Sequence, residues 1–147
     1  MTSLLNDVRV SAQWIAVALN SSGYTADFTP ESLRDVERFM DEHSDGGIAV
    51  ADGLLATDLG SRLFALGAYV GETVRLHLGG AWAADDDSPH AHSRIALHLL
   101  DGSTIWPVQR VIKRFHNGPE DSIAFYGAAL GLPDGSAERR RRFSRKH

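Results

Sequence analysis

Two glycines one helical turn apart, Gly67 and Gly71, restrict the fold of this chain more than any other feature of its sequence. They lie in the segment LFALGAYVGETVRLHLGGAW, residues 63–82, where leucines and valines recur in steps of three and four and predict a helix. A glycine inside a helix costs about 1 kcal/mol relative to alanine. We therefore expect a compensation, namely another backbone or an aromatic ring packed closely against the glycines.

Four further segments show helical periodicity. The first helix runs from Leu4 to about Leu19 and ends near the Ser21-Ser22-Gly23 sequence. The second is predicted to have Thr29 as its N-cap and Pro30 in its first position, and to end at the SDGG sequence of residues 44–47. The two remaining helices are predicted to begin at Pro107 and Pro119.

Between the third and fourth helices the apolar pattern changes to a period of two, which is typical of strands. Trp82 begins a short strand, and residues 94–100 and 103–106 form a hairpin around the turn Asp101-Gly102. The order is helices, a small antiparallel sheet, then helices, with a long central helix. The predicted fold class is α+β.

The composition is that of one globular domain, which we place at residues 1–133. The chain has 147 residues, of which 43% are hydrophobic and 23% charged, and it contains no cysteine. No apolar stretch reaches the length of about 20 residues that a membrane span needs, and the first residues lack the basic start of a signal peptide. The absence of cysteine excludes disulfides and thiolate chemistry. These features predict a cytoplasmic protein that does not enter a membrane.

Charge is distributed unequally along the chain. Residues 138–147, ERRRRFSRKH, contain six of the fifteen Lys and Arg residues and one acid, a formal charge of +5, and the other 137 residues carry −9. We interpret residues 134–147 as a basic, disordered tail. Nucleic-acid binding through this tail is the alternative, although the acidic body would repel phosphates.

Glu72 and Arg75 are the first candidate site residues. At a spacing of i,i+3 on one helix they can form an ion pair. One interpretation is structural: Trp82 or Trp106 packs over the glycines, and Glu72 is a satisfied carboxylate. The other is functional: Glu72 and Arg75 project into a groove lined by Gly67 and Gly71, where Arg75 holds an anion and Glu72 acts as acceptor or base.

A second group of candidates lies on the helix that begins at Pro107. Arg110, Lys113 and Arg114 are predicted on its solvent-facing side, opposite the apolar face of Val108, Val111, Ile112 and Phe115. They form either a solvated face or a contact for an anion or a partner.

The histidines carry weaker signals. His90 and His92 follow Asp85–Asp87 in a loop that we interpret as solvated, because zinc sites normally take their ligands from fixed elements. A Ser93, His98 and Asp101 triad lacks a nucleophile elbow and is disfavoured. We therefore predict no metal and no cofactor.

Several short motifs together resemble a group of small bacterial domains, common in actinobacteria, to which no function is assigned. The hallmark is LGAYxGE, here residues 66–72, followed by GGxW, residues 79–82. WP at residues 106–107, KR at 113–114, NGxEDS at 117–122 and Tyr126 continue it. The resemblance covers residues 24–131. It implies the fold, and similar domains sometimes look like immunity or accessory proteins encoded near toxins or biosynthetic genes.

These observations predict a non-enzymatic, immunity-like or accessory protein that binds a protein partner, with a second copy of the chain as one candidate. The expected partner surface combines residues 67–75, the hairpin and residues 107–115. The predicted binding residues are Glu72, Arg75, Trp82, Trp106, Arg110, Lys113 and Arg114. The alternative is a small-molecule-binding or metal-dependent enzyme that uses Glu72, Arg75 and a histidine.

Overall fold

The computed structural model describes residues 4–84 and 90–132. In these ranges the α-helices are α1 (Leu4–Ser21), α2 (Leu33–His43), α3 (Leu59–Leu78), α4 (Pro107–Asn117) and α5 (Ile123–Ala129). The strands are β1 (Ser44–Asp45), β2 (Ile48–Ala49), β3 (Ala81–Ala83), β4 (Ala96–His98) and β5 (Thr104–Ile105). The α+β fold class and the long central helix are therefore confirmed.

Helix α3 lies at the centre of the molecule, with α1 and α4 packed against it and α2 packed against α5. Its residues from Leu63 to Val74 are all buried. The core has two parts. One joins the second half of α1 to α2 and to one side of α3, for example through Ile15, Phe39 and Leu66. The other joins the first half of α1 to Phe64, Ala68 and the start of α4.

The three-stranded sheet is antiparallel in the order β3-β4-β5. Trp82, Leu97 and Ile105 are paired neighbours on one face, and this face packs on the helices, since Leu97 and Ile105 are both buried. The predicted hairpin with its turn at Asp101-Gly102 is confirmed, and so is the strand at Trp82.

Several predicted helix ends differ in the structure. Pro30 and Pro119 each begin a single turn of 3-10 helix, Pro30–Ser32 and Pro119–Asp121, so α2 and α5 start later than predicted. The side chain of Thr29 accepts no capping hydrogen bond, and its hydroxyl donates to the Asp27 carboxylate at 2.6 Å. Thr29 is thus the N-cap residue by position, as predicted, but it precedes the 3-10 turn rather than α2 and its side chain does not cap.

The SDGG sequence does end α2, but it also forms the first strand and the turn of a small hairpin. β1 and β2 pair antiparallel across Gly46 and Gly47, both of which have positive φ. The Gly47 N–H donates to the Phe115 carbonyl at 2.8 Å, which joins this hairpin to α4.

None of the helices in the described ranges is both long enough and apolar enough to span a membrane. Residues 134–147, the predicted basic tail, lie outside the described residues, as do Asp85–Asp87.

Candidate functional site

The two glycines of α3 are explained by close packing. A Cβ at Gly71 would lie 2.1 Å from Cη2 of Trp82, and a Cβ at Gly67 would lie 2.5 Å from Cα of Val108. Neither position has space for a methyl group, because real Cβ atoms do not approach other atoms so closely. Gly71 thus accommodates an aromatic ring and Gly67 accommodates the backbone of α4. The groove that the functional interpretation of Glu72 requires is filled.

Glu72 lies beside this contact, and both oxygens of its carboxylate accept hydrogen bonds. The Arg75 guanidinium donates from Nε and from a terminal nitrogen, each at 2.9 Å. The Trp82 indole N–H donates to Oε1 at 2.6 Å. Glu72 is buried, whereas the Arg75 side chain is 33% exposed. We call these three residues the Glu72 cluster.

The electrostatics of the Glu72 cluster favour the ionised form of the carboxylate. Burial by itself raises the pKa of the Glu72 carboxyl, but hydrogen bonds from Arg75 and Trp82 and the charges of Arg75 and Arg9 hold it below its ordinary value of 4.5. A general base that works near neutral pH needs the opposite change. The geometry is that of a structural carboxylate that fixes Trp82 over Gly71.

Arg114 does not belong to the solvent-facing basic side that was predicted for α4. Its side chain is 2% exposed, and Nε donates to Oε2 of Glu37 at 2.7 Å. The other oxygen of Glu37 accepts the backbone N–H of Ile123 at 2.7 Å. Arg114 therefore joins α4 to α2 and α5 from inside the fold, and the prediction that it faces solvent was wrong.

The two other cations of that group remain nearer the surface. Arg110 lies 4.6 Å from the ring centre of Tyr126 and 3.4 Å from the carboxylate of Asp121. Lys113 is exposed and has no ion pair within the part of the chain that the structure describes. The three cations thus lie in three different environments and do not form one binding surface.

Trp106 does not pack over the glycines. It follows β5 and is 46% exposed. Of the two tryptophans predicted for this contact, Trp82 is therefore the one that packs over Gly71.

The histidines that the structure describes do not assemble a metal site. His92 contacts the ring of Phe64 edge-on, with 5.1 Å between ring centres, and His98 pairs with Thr104 across two strands at 2.9 Å. Within residues 4–84 and 90–132, no three His, Cys, Asp or Glu side chains are grouped closely enough to hold a metal ion.

Sequence reasoning missed a surface on α1. Val10, Trp14 and Val17 are 60%, 49% and 66% exposed, on a helix whose other apolar side is in the core. Their spacing of four and three residues is a second apolar stripe, and this was the signal that could have revealed it. A helix that is apolar on two sides normally has both sides covered.

This stripe borders a concave region between α1 and the beginning of α3. Cavities of about 570 and 490 Å³ lie there, and both are lined by Val10, Ser11 and Ser61, so they form one continuous groove. We call it the α1–α3 groove. Trp14 borders one end and Phe64 the other.

The charged groups of the α1–α3 groove are Asp7 in one cavity and Asp58 and Arg62 in the other. Arg62 is already engaged, since its guanidinium donates to the Leu54 carbonyl and lies 5.6 Å from the ring centre of Trp14. Neither Asp7 nor Asp58 forms an ion pair with another described residue. The groove therefore offers an apolar surface with an unneutralised carboxylate in each cavity.

Comparison of the chain with protein-family models, with curated proteins and with solved structures found no match. The resemblance to small actinobacterial domains therefore stays a prediction.

Proposed function

We propose that the protein is a non-enzymatic protein-interaction module, an immunity-like or accessory protein that acts in the cytoplasm, and that the α1–α3 groove and its apolar stripe contact the partner. The observation that carries this proposal is the exposure of Val10, Trp14 and Val17 on a helix that already buries its other apolar side. Exposed apolar groups with an aromatic anchor are typical of interaction sites.

The proposed partner surface therefore differs from the one that the sequence predicted at residues 67–75, the hairpin and residues 107–115. Residues 67–74 of α3 are buried, so that part of the helix has no surface to offer. Arg75, Trp106 and Lys113 remain accessible, and they lie outside the α1–α3 groove. The proposal therefore retains a protein partner, with a second copy of the chain still among the candidates, and places the contact on α1.

An enzymatic role for Glu72 and Arg75 receives less support. Their mutual hydrogen bonds occupy the carboxylate that would have to act on a substrate. The α1–α3 groove, in turn, has neither a nucleophile paired with a base nor a described cluster of metal ligands. Both observations favour binding over catalysis.

Site-specific photo-crosslinking tests the proposal. A photoreactive residue is introduced at position 10 or at position 100, and the cells of origin are irradiated. Leu100 is the matched control: it is 80% exposed and contacts Gly79, at the opposite end of the 20-residue helix α3. We expect a discrete crosslinked partner at position 10, absent at position 100 and lost when Trp14→Ala is added. Equal crosslinking at both positions, or crosslinking that Trp14→Ala leaves unchanged, would contradict the proposal.

A further inference from the structure

The α1–α3 groove combines an apolar lining with carboxylates. Its apolar part is formed by Val10, Trp14 and Phe64, with a carboxylate at each end, Asp7 and Asp58. The cation in the groove, Arg62, is held by the Leu54 carbonyl and the Trp14 ring. A ligand that carries positive charge on both sides of an apolar group would neutralise both carboxylates.

The chain itself contains such a segment. Residues 138–147 carry a formal charge of +5 against −9 for the rest of the chain. Within them Phe143 is the only apolar side chain large enough to fill a groove, and it lies between Arg142 and Arg145. The sequence of this segment is therefore complementary to the groove in both charge and polarity.

The segment is also long enough to reach the groove. Phe143 is eleven residues beyond Leu132, the last described residue, and an extended chain of that length spans up to about 36 Å at roughly 3.3 Å per residue. A domain of this size has a radius of gyration of about 14 Å. This reach exceeds the radius of such a domain about twofold, so Phe143 can contact faces of the molecule well away from Leu132.

We propose that residues 138–147 bind in the α1–α3 groove of their own chain, with Phe143 against Trp14 and Val10 and with the flanking arginines near Asp7 and Asp58. The segment then competes with the partner for the same surface. This inference rests on the proposed function for the role of the groove, and it adds the regulation of that site.

Paramagnetic relaxation enhancement tests the contact in the full chain. Because the chain has no cysteine, Ser144→Cys provides a single attachment point for a nitroxide. We expect selective broadening of the amide signals of residues 10–14 and 58–65, weakened several-fold when NaCl is raised from about 50 to 500 mM, since screening shortens the range of the charges. Absence of broadening in these ranges, or uniform broadening over the surface, would overturn the inference.

Two variants locate the contact. Trp14→Ala should remove most of the broadening, and Trp106→Ala should leave it unchanged; the two tryptophans are 49% and 46% exposed and are thus matched. Phe143→Ala leaves the described part of the chain intact, and with the label at position 144 it should also remove the broadening. If Trp14→Ala and Trp106→Ala behave alike, the groove is not the site.

A mixture of isotope-labelled chains without nitroxide and unlabelled chains with nitroxide distinguishes the sources of the segment. We expect no broadening in the mixture, whereas strong broadening would mean that a second copy supplies the segment and would overturn binding within one chain.

The outcome of the photo-crosslinking experiment does not depend on this contact. A crosslinked partner at position 10 together with no broadening supports the proposed function and rejects this inference. If the segment does compete, Phe143→Ala should increase the yield of partner crosslinking at position 10 several-fold.

Discussion

At the scale of single residues, Gly71 determines whether Trp82 can occupy its place. The ring covers the helix backbone at Gly71, and its indole N–H is bonded to Glu72. A methyl group at position 71 would push the ring away and break that hydrogen bond, because the nearest ring atoms lie 2.1 and 2.4 Å from the Cβ position. Glycine at this position is therefore a packing requirement.

We expect Gly71→Ala to lower the free energy of unfolding by about 1–3 kcal/mol, the usual cost of overpacking a core, although alanine is the better helix former. Gly60→Ala is the matched control, since Gly60 lies in the same helix and a Cβ there meets nothing within 4 Å. This control should be neutral or stabilising by up to about 1 kcal/mol. Chemical denaturation measures both, and equal effects would contradict the packing explanation.

Arg114 is the second residue considered at this scale, and its role depends on its ion pair with Glu37. Its guanidinium is buried and bonded to Glu37, which also accepts the N–H of Ile123. Removing one member of a buried ion pair leaves the other charge uncompensated.

We expect Arg114→Met to destabilise the protein by about 3–5 kcal/mol for this reason, and Lys113→Met to change stability by no more than about 0.5 kcal/mol, as is usual at exposed positions. Thermal or urea unfolding of both variants gives the comparison. A small effect for Arg114→Met would show that Arg114 does not hold α4 to α2 and α5.

At the scale of secondary-structure elements, the end of α2 is joined to the loop before α3 through His43. Its ring stacks on Phe39 with 4.3 Å between centres, and its Nδ1 accepts the Leu54 N–H at 3.3 Å. Burial lowers the pKa of His43 from its ordinary value of 6.5, and the neighbouring Glu42 opposes this only in part. The neutral ring is the form that fits, because a protonated Nδ1 cannot accept a hydrogen bond.

The direction of the pH dependence follows from linkage. Since the pKa of His43 is lower in the folded state, the unfolded state binds more protons as the pH falls, and stability decreases. We expect this contribution to be complete above pH 6.5 and to be lost progressively below it. His43→Asn, whose side-chain oxygen can accept the same N–H, should remove this part of the pH dependence between about pH 7 and 5. An unchanged profile in urea titrations, relative to the exposed control His116→Asn, would contradict it.

At the scale of the whole molecule, α3 connects α1, α4 and the α2 side of the fold. It contacts α1 on one side and α4 on another, and its Tyr69 hydroxyl pairs with Ser32 and accepts the Phe28 N–H. The α2 side of the fold is thus attached to the same helix. The buried middle of α3 should open only when the whole fold opens.

Native-state hydrogen exchange measures the free energy at which each part of α3 opens. We expect the amides of residues 66–74 to exchange with the free energy of global unfolding, because they lie in the core of the fold. Amides of α5, a seven-residue helix that packs on α2, should exchange through smaller openings. Faster exchange in α3 than in α5 would show that α3 does not form the stable centre.

The sequence predicted the elements well, since periodicity and turn residues are local signals. The helices, the hairpin around Asp101-Gly102 and the close packing at Gly67 and Gly71 were all predictable. It placed the start of α2 too early, at Pro30, where a 3-10 turn precedes the helix. It also failed at Arg114, whose acid partners Glu37 and Asp41 lie more than seventy positions away along the chain. No local pattern contains such a distant partner.

The difference between what the sequence could predict and what it could not has a physical cause. By itself the sequence determined the α+β class, the central helix and the glycine positions that demand contact, because each depends on residues within about two turns of one another. Only the tertiary structure decided that Trp82 and Val108 supply those contacts, that Glu72 is held by Arg75 and Trp82, and that α1 exposes a second apolar stripe beside a groove. These depend on which distant surfaces meet, and that is set by how the whole core packs.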